Sequence, residues 1–555
     1  MAYAITSDIG NVNVPEQTDE QKKKAKFLVE SFEKKKQERT NFESHWQECL
    51  RYIIPRKQDV ISERSPGDKR GNELFDSTAI RANSMLAGAL HSMLTNPTTR
   101  FFELIMGDPA LDEDEEVKAF LQEAGERMFT MLSNSNFQTE IHEIYLDLGA
   151  IGTACLYMAD HEQNLIHFSA RHMKEIFIAE NNEGLVDSVD RCFKWNARQI
   201  VQEFGEDKVP RFIKECYEKN IQEEFEILHV VQPAEDYKSG GSPLPYKSCY
   251  ILKEKEFILS EGGYKVFPYA VPRWTKTSGE VYGRGPGMDL LPSIKMINSM
   301  METTIKGAQK TIDPPMMVSD NSVIGKVRLT PAGLTLVRPS NEDPIRPLIT
   351  DARIDFGFQF IDSIKQEIMA GFYVDQFTMA QGPQKTATEV NQLVEQNFRL
   401  MGPVLGRQHF ELLRQVVERS FDVMVRNKKL PEAPPQIQGR EFNVRYSSFI
   451  ARVQRMNEGQ NIARAIQVAA PILQLSPESA EVINGDRTLK YILDIYGVPQ
   501  KVQNSNAELE EKREARAQAQ AQMAQEQQQQ AQADAIGTAG PAIAQLQQAQ
   551  AAQTQ

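Results

Sequence analysis

Residues 281–300 read VYGRGPGMDLLPSIKMINSM, and they stand between a strand-rich stretch and a long helical pattern. Glycine adopts backbone angles that other side chains exclude, so a tight turn is expected at Gly283, Gly285 and Gly287. We expect Asp289 to cap the following helix, with Pro292 in its first turn, where a missing N–H costs little. The stretch therefore predicts a hinge at which a strand turns into a helix.

The glycine spacing excludes the common nucleotide-binding loops. A phosphate loop requires G-x-x-x-x-G-K-[ST], so that backbone N–H groups and a lysine surround the phosphates. Here Gly287 is followed by Met288 and Asp289, and the next lysine is Lys295. The dinucleotide fingerprint G-x-G-x-x-G does not match either, and neither HExxH nor GxSxG occurs. We therefore predict no nucleotide, no cofactor and no enzymatic activity.

The chain before the hinge is predicted to form an α+β domain over residues 53–285. FDSTAIRANSMLAGALHSMLTNP (75–97) has apolar residues at helical spacing, and Asp76 or Ser77 can cap it. Alternating runs such as FEILHVVQP, and KSCYILKEKEFILSEGGYKVFPYAVPRW with Gly-Gly at one turn, predict antiparallel hairpins. Residues 1–52 are expected to be a disordered segment followed by a solvated amphipathic helix.

The chain after the hinge is predicted to begin with two helices that enclose a small insert. Isoleucines and other apolar residues at helical spacing predict helices at 286–312 and 351–372. The insert at 313–350 is rich in proline and glycine and is expected to contain short strands. On the first helix, Lys295, Glu302, Lys306 and Lys310 fall near one face, opposite the isoleucines.

That charged face has two interpretations. It is either an ordinary solvated face, or a mixed-charge wall beside a polyanion. In the second case the lysines would attract phosphates, with salt-dependent affinity, and the carboxylates would limit how tightly the phosphates bind.

The remainder of the chain is predicted to be helical with one strand. A loop at 373–385 precedes a helix at 386–430. Thr386 and Glu389 fit a capping box, and Gly402-Pro403 should kink or break this helix. Residues 431–500 are expected to be mostly helical after a strand at 440–449. The Ala/Gln-rich residues 501–555 lack large apolar side chains, so they predict a frayed helix, disorder or a bundle of several copies.

Composition restricts the kind of protein further. The chain has 555 residues, a formal net charge of −13 and five cysteines. Because the cysteines are scattered and no CxxC spacing occurs, we expect reduced thiols and no metal site. No signal peptide and no membrane-spanning segment are evident, so we expect a cytoplasmic protein. The negative charge would repel free DNA unless basic residues are gathered locally.

In this order, the segments resemble the portal, or head-to-tail connector, proteins of short-tailed bacteriophages (podoviruses). The resemblance covers most of residues 20–500, and YGRGPG and TATEV are its most specific parts. It is carried by FDSTAIRANSMLAGALHSMLTNPTTRFF (75–102), SNFQTEIHEIYLDLGAIGTACLYM (135–158), PRWTKTSGEVYGRGPGMDLLPSIKMIN (272–298), IKQEIMAGFYVDQF (364–377), KTATEVNQLVEQNFRLMGPVLGR (385–407) and RYSSFIARVQR (445–455).

The resemblance implies the portal architecture, a mainly helical α+β fold assembled into an oligomeric ring. Its parts would be a wing at 53–285, stem helices at 286–312 and 351–372, a clip at 313–350, a channel loop at 373–385, a helix at 386–430 that crosses the wing, and a crown at 431–500. The Ala/Gln-rich tail at 501–555 would be disordered or extend the crown as a helical barrel.

The resemblance also implies a function. About twelve copies would form a ring at one capsid vertex, through which double-stranded viral DNA is packaged and ejected. At −13 per copy, twelve copies would carry about −156, so rings of lysines would set the field that DNA meets. The expected partners are the terminase large subunit, tail adaptor proteins, and the major capsid and scaffolding proteins, with no membrane. The chain would reside in the virion, and in the host cytoplasm during assembly.

Position within that architecture predicts the residues nearest to DNA. They are Lys295, Lys306, Lys310, Gln376, Met379, Gln381 and Gln384. Arg284 is left with two possible partners, an acidic residue of a neighbouring copy or one of its own wing. Two rival functions remain at this point: a helical scaffold or assembly protein without a DNA channel, and a nucleotide-dependent enzyme.

Overall fold

A computed structural model gives the fold of the parts of the chain that it describes. These are residues 17–62, 65, 67–112, 114–236, 244–312, 316–318, 345–347, 354–378, 401–437, 443–446, 458–459, 461–469, 471, 484–495, 504 and 508–530.

Helices dominate both ends of the described chain. They are α1 (Asp19–Ile53), α2 (Thr78–Leu94), α3 (Pro109–Asp112), α4 (Glu115–Asn134), α5 (Phe137–Ile151), α6 (Ala197–Phe204), α7 (Arg211–Glu218), α8 (Pro286–Asp289), α9 (Leu291–Ile312), α10 (Ile354–Gly371), α11 (Val374–Thr378), α12 (Arg414–Arg426) and α13 (Gly485–Ile495). Residues 401–408, 461–469 and 508–530 are also helical, and a π-helical turn at His409–Leu413 joins 401–408 to α12.

Strands occupy the middle of the chain and pair antiparallel throughout the described part. They are β1 (Phe102–Ile105), β2 (Cys155–His161), β3 (Leu165–Arg171), β4 (Ile176–Glu180), β5 (Val186–Asn196), β6 (Glu224–Pro233), β7 (Tyr246–Leu252), β8 (Phe257–Tyr264), β9 (Tyr269–Ala270), β10 (Met316–Val318), β11 (Ile345–Pro347) and β12 (Asn443–Tyr446). The sheet orders are β4-β5-β6-β7-β8, β3-β2-β9, β1-β12 and β10-β11.

The five-stranded sheet is the middle layer of an α/β/α sandwich. Alternation along the strands sends neighbouring side chains to opposite faces. On β6, Phe225 and Ile227 pack with residues of α6 and α7 on one face. Leu228 and Val230 pack with residues of α1 on the other face. Helix α1 and the α6–α7 pair therefore form opposite outer layers of this part of the molecule.

Helix α1 is fixed to the sheet by charge as well as by apolar packing. Arg39 is 3% exposed, and its guanidinium donates to the carbonyl oxygens of Met173 (2.7 Å), Ile176 (2.5 Å) and Lys174 (3.0 Å). Asp190 on β5 is also buried, and the Lys35 ammonium lies 2.9 Å from its carboxylate. The predicted helix at 19–52 is confirmed, but its inner face is buried rather than solvated.

The predicted helix pair, α9 and α10, is present, and the two helices are joined by contacts at both ends. The residue just before α9 lies beside the last residue of α10, since a Cβ added at Gly371 would come within 2.5 Å of Leu290. At the far ends, β10 and β11 pair antiparallel, with Met317 opposite Arg346. These contacts fix two antiparallel helices. The buried isoleucines of the pair are Ile294, Ile297, Ile361, Ile364 and Ile368.

Contacts divide the chain into two compact units. The first unit contains residues 1–105, 123–432 and 442–451, and the second contains 106–122, 433–441 and 452–555. Residues 106–122 thus group with the C-terminal part of the chain, although the sequence placed them in the domain at 53–285. Within the second unit, Lys490 pairs with Glu115 at 3.1 Å, and the helix at 508–530 is almost wholly exposed.

Two local predictions are wrong. Gly262-Gly263 does not form the hairpin turn but lies inside β8, where Gly263 faces the Tyr246 carbonyl and a Cβ would come within 2.7 Å of it. The turn between β7 and β8 is instead the 3-10 helix Lys253–Lys255. The predicted loop at 373–385 also begins as a helix, α11, because Val374 is buried against the body of the unit and fixes the first turn.

Candidate functional site: the hinge and the helix pair

The glycine hinge lies directly against the C-terminal end of α5. A Cβ at Gly285 would come within 2.6 Å of the Leu148 oxygen, and one at Gly287 within 2.5 Å of the Ala150 oxygen. Gly152 ends α5 in the left-handed region, with φ 71°, and a Cβ there would lie 2.3 Å from the backbone of Arg284 and Gly285. The close approach of the two backbones is therefore possible only with glycine.

Hydrogen bonds hold the hinge in this position. The Gly283 amide donates to the Thr153 hydroxyl at 2.9 Å. Thr275 and Arg284 exchange backbone hydrogen bonds of 3.1 and 2.8 Å. These bonds close a hairpin between the end of the strand-rich region and the start of the helix pair.

Asp289 does not cap the helix α9 as predicted. Gly285 occupies the N-cap position of α8, Pro286 is its first residue, and Asp289 is its last. The fixed φ of Pro286 suits a first helical position, so the helical turn starts earlier than the Asp289 signal suggested. Pro292 lies in the first turn of α9, as predicted.

Arg273 is a buried charge beside the hinge that the sequence reading did not single out. Its side chain is 0% exposed and contacts Glu411 at 2.7 Å and Glu180 at 2.8 Å. The same guanidinium donates to the Gly184 and Val281 carbonyl oxygens. Burial alone would lower the pKa of Arg273, but hydrogen bonds and charge from the two glutamates outweigh burial and raise it.

The Arg273 cluster joins three separate segments of the first unit. Glu411 belongs to the π-helical turn, Glu180 ends β4, and Gln408 donates to the Arg273 carbonyl oxygen at 2.8 Å. A π-helical turn widens a helix locally and often marks a functional position. The long helix after the loop is thereby connected to the segment that enters the hinge. The only sequence signal for this cluster was a charged residue, Arg273, between Pro272 and Trp274 at the end of a largely apolar stretch.

Arg284 has its partner within its own chain. Its guanidinium lies 2.6 Å from Glu280 and 5.8 Å from the centre of the Phe42 ring. The hydrogen bond to Glu280 raises the pKa of Arg284. Of the two partners that the sequence left open, the structure therefore has the one in the wing.

Polar contacts attach the helix pair to the body of the unit. Asn298 on α9 accepts hydrogen bonds from the amides of Phe75 and Asp76, at 2.8 and 3.4 Å. Lys365 on α10 lies 3.7 Å from Asp76, and Lys295 lies 3.1 Å from Glu48 on α1. Lys295 is thus paired with α1, although its side chain remains 47% exposed.

The other predicted channel lysines lie farther along α9. Lys306 is 65% exposed, and its ammonium lies 2.5 Å from Glu302, one turn earlier on the same helix. Lys310 is within α9, but its side chain lies outside the described residues. The predicted mixed-charge face is therefore present at Lys306 and Glu302.

The loop predictions are only partly covered by the described chain. Gln376 lies in α11 and is half-buried. Met379, Gln381, Gln384, Thr386 and Glu389 lie outside the described residues. Gly402 and Pro403 are within the helical residues 401–408, and the residues before 401 lie outside the described chain, so the predicted kink or break stays a prediction. The described irregularity of this helix is the π-helical turn at His409–Leu413.

The helix pair presents apolar side chains that this copy leaves exposed. Phe358 and Phe360 on α10 are 49% and 45% exposed, and Ile305 on α9 is 38% exposed. Met296 and Ile312 on α9 are exposed as well. Large exposed apolar side chains on neighbouring helices are typical of a surface that another protein covers.

Metal ligands, membrane-spanning helices and reactive thiols were considered for the described residues. Within them, no group of His, Cys, Asp and Glu is arranged to hold a metal ion. No helix in the described ranges is both long and apolar enough to cross a bilayer. Burial raises the pKa of the Cys49 and Cys155 thiols to about 12, which disfavours a reactive thiolate at either position.

Comparison with known proteins identifies relatives over most of the chain. The family profile "Bacteriophage head to tail connecting protein" matches residues 25–503. The "Probable portal protein" of Bordetella phage BPP-1 is 28% identical over 485 residues, which are 85% of this chain and 87% of that protein. The "Portal protein" of Salmonella phage epsilon15 is 28% identical over 489 residues, 86% of this chain and 88% of that protein.

One solved structure shares a weaker likeness. A chain from the neck of an empty GTA particle, computed with C6 symmetry, matches 70% of this chain and 86% of its own length. The sequence identity is 11% and the TM-score is 0.35. A likeness at this level supports no conclusion about the chain.

Proposed function

The chain belongs to the family of bacteriophage head-to-tail connecting proteins, and from this premise we propose that its copies form a ring around a channel for double-stranded DNA. The family membership makes it a structural protein of the junction between head and tail. The proposed ring of about twelve copies occupies one capsid vertex of the virion. DNA enters through it during packaging in the host cytoplasm and leaves through it on ejection.

The observation that carries this proposal is the antiparallel helix pair. The pair buries isoleucines on both helices but leaves Ile305, Phe358 and Phe360 exposed. In a ring, neighbouring copies cover such apolar side chains, and the remaining helix surface faces the channel. The α9–α10 pair then acts as the stem, and the insert at 313–350, with its paired strands β10 and β11, acts as the clip.

Charge on the stem fits a channel that does not hold its cargo tightly. Lys306 repeats around the ring as a belt of positive charge, and each lysine is accompanied by Glu302 at 2.5 Å. Lysines attract DNA phosphates, whereas the adjacent carboxylates weaken each contact, so DNA remains able to slide. Gln376 and the predicted loop residues Met379, Gln381 and Gln384 extend this wall.

The partners follow from the position at the vertex. The clip docks the terminase large subunit, which supplies ATP hydrolysis, and later the tail adaptor proteins. The wing contacts the major capsid and scaffolding proteins. In this proposal the chain itself is not an enzyme and uses no cofactor.

Packaging by particles that carry stem variants tests the channel. A Lys306→Glu/Lys310→Glu variant should package less DNA or retain it less well, with an effect that changes with salt. Lys69→Glu/Lys265→Glu changes the net charge equally at two exposed wing positions and should behave as the unaltered chain. Equal packaging and retention by both variants across a range of salt would remove the DNA-facing role of α9.

A further inference from the structure

The outer layer opposite α1 contains an open acidic cleft. The cleft has a volume of about 680 Å³, and it lies between the β2–β3 turn and α6. Its lining includes Asp160, Glu162, Glu203 and Trp195, and it includes no lysine or arginine. Carboxylates beside a half-buried indole favour a cationic side chain, by charge and by cation–π attraction. The same carboxylates repel a phosphate group.

Of the three carboxylates in the cleft, one is paired with arginines, and two form no ion pair within the described residues. Asp160 is engaged by Arg419 at 2.7 Å and by Arg426 at 3.0 Å. Within the described residues, neither Glu162 nor Glu203 takes part in an ion pair, and Glu203 is exposed on α6. The cleft therefore has two uncompensated negative charges at its mouth.

The outward face of α1 provides the complementary charge. Lys22, Lys23 and Lys26 are exposed, and none of them forms an ion pair with another described residue. Phe27, 43% exposed, lies on the same face. By contrast, the inward lysine of this helix, Lys35, is used within the copy, where it pairs with Asp190.

The two surfaces lie on opposite sides of the same sheet. Trp195 packs with the α6–α7 core on one face, whereas Leu28 and Phe32 of α1 pack on the other face. A ring of identical copies requires such an arrangement, because each copy must present one surface to the copy before it and a different surface to the copy after it. A single copy cannot bring these two surfaces together.

We propose that the Lys22–Lys26 stretch of α1 in one copy docks into the Glu162–Glu203 cleft of the next copy and forms the wing-to-wing contact of the ring. This inference rests on the proposed ring and assigns residues to its subunit interface. The lysines seat against Glu162 and Glu203, with one over Trp195, and Phe27 adds apolar contact. The occupant of the cleft is thus a second copy of this chain.

Charge reversal on each surface tests the proposal. Lys23→Glu/Lys26→Glu and Glu162→Lys/Glu203→Lys should each raise the concentration needed for ring assembly by about tenfold or more, because like charges then face each other. Lys69→Glu/Lys265→Glu has the same net charge change as the first variant and should assemble like the unaltered chain. The readout is particle mass by light scattering, with circular dichroism as the test of folding.

An equimolar mixture of the two reversed variants distinguishes docking from general damage. Each acidic α1 then meets a basic cleft, and each basic α1 meets an acidic cleft, so alternating rings should recover. Normal assembly by each variant alone would overturn the proposal. Failure of the mixture to recover, with both variants folded, would overturn it as well.

A covalent readout places the contact directly. A Lys23→Cys/Glu203→Cys chain should form disulfides between copies and give a ladder of linked species, whereas either single variant should not. Rings without the ladder would refute the docking and leave the ring itself standing. Failure of the unaltered chain to form any ring would instead refute the proposed function on which the docking depends.

Discussion

The glycine hinge and the outer face of the helix pair differ in how far their side chains are buried and paired. At the hinge, the Arg273 side chain is 0% exposed and is matched by two carboxylates and two carbonyl oxygens. On the helix pair, Lys306 is 65% exposed, and Phe358 is 49% exposed. One region is completed within a single copy, whereas the other leaves its surface uncovered.

This difference separates stability from assembly. Substitutions at the hinge should reduce the free energy of unfolding of each copy, because they leave buried groups unmatched. Substitutions on the outer face should leave that free energy nearly unchanged and alter only what the copies do together.

The largest effect is expected at Arg273. Arg273→Met should reduce the free energy of unfolding by about 3 kcal/mol, since it removes the buried charge between Glu411 and Glu180. Among the described residues, the two carboxylates then keep only the more exposed Arg407 and Lys276 as partners. Arg284→Met is the matched control: it also removes an arginine–glutamate pair, but Arg284 is 40% exposed, so the cost should stay below about 1 kcal/mol. Urea denaturation of the full chain measures both. Equal losses would break the contrast between buried and exposed pairs.

The next effect is expected at Gly285. Gly285→Ala places a Cβ 2.6 Å from the Leu148 oxygen, and backbone shifts of this kind typically cost about 1–3 kcal/mol. Gly88→Ala is the control, because Gly88 is an exposed glycine within α2 with open space around it. That change should raise the stability by about 0.5–1 kcal/mol. Thermal and urea denaturation midpoints measure both variants. Midpoints that shift in the same direction for Gly285→Ala and for Gly88→Ala would contradict the hinge packing.

A pH dependence should accompany the π-helical turn. Burial lowers the pKa of His409 from 6.5 to about 4. Between these values the unfolded chain binds the proton more readily than the folded one, so stability falls as the pH decreases. The expected slope is about 1.4 kcal/mol per pH unit at most. His409→Gln should show a shallower slope from pH 6.5 to 5, and identical slopes would exclude His409 as the cause.

The smallest effect on stability is expected at Lys306. Lys306→Ala removes an exposed pair with Glu302 on the same helix, and such pairs contribute about 0.2–0.5 kcal/mol. Glu302→Ala, which removes the other partner, should cost a similar amount. Their effects on DNA should differ in sign, because one removes a positive charge from the proposed channel and the other a negative one. A loss of several kcal/mol from either would contradict an open stem surface.

The sequence was sufficient for elements with a strong local signal. The isoleucine spacing located both α9 and α10, and alternation located the strands of the five-stranded sheet. The glycines at 283, 285 and 287 indicated the hinge. Why glycine is required there is explained only by the close contact between the hinge backbone and the end of α5. The close approach involves residues 148–152, which are more than 130 positions away, and local patterns contain no information about such a contact.

Long-range electrostatics explain what the sequence reading missed. Arg273 looks like any charged residue at a strand end, and its partners lie 93 and 138 positions away. Asp289 was predicted as a cap from residue type alone, whereas Pro286 began the helical turn earlier. The acidic cleft likewise combines the β2–β3 turn with α6, and its complement on α1 is meaningful only once both outer layers are known.

Imaging of the assembled protein tests the central claim most directly. Electron micrographs of the purified full-length chain should show rings of about twelve copies with a central hole wide enough for a DNA duplex. Discrete monomers, open filaments or closed particles without a hole, at concentrations where related connectors would assemble, would contradict the account.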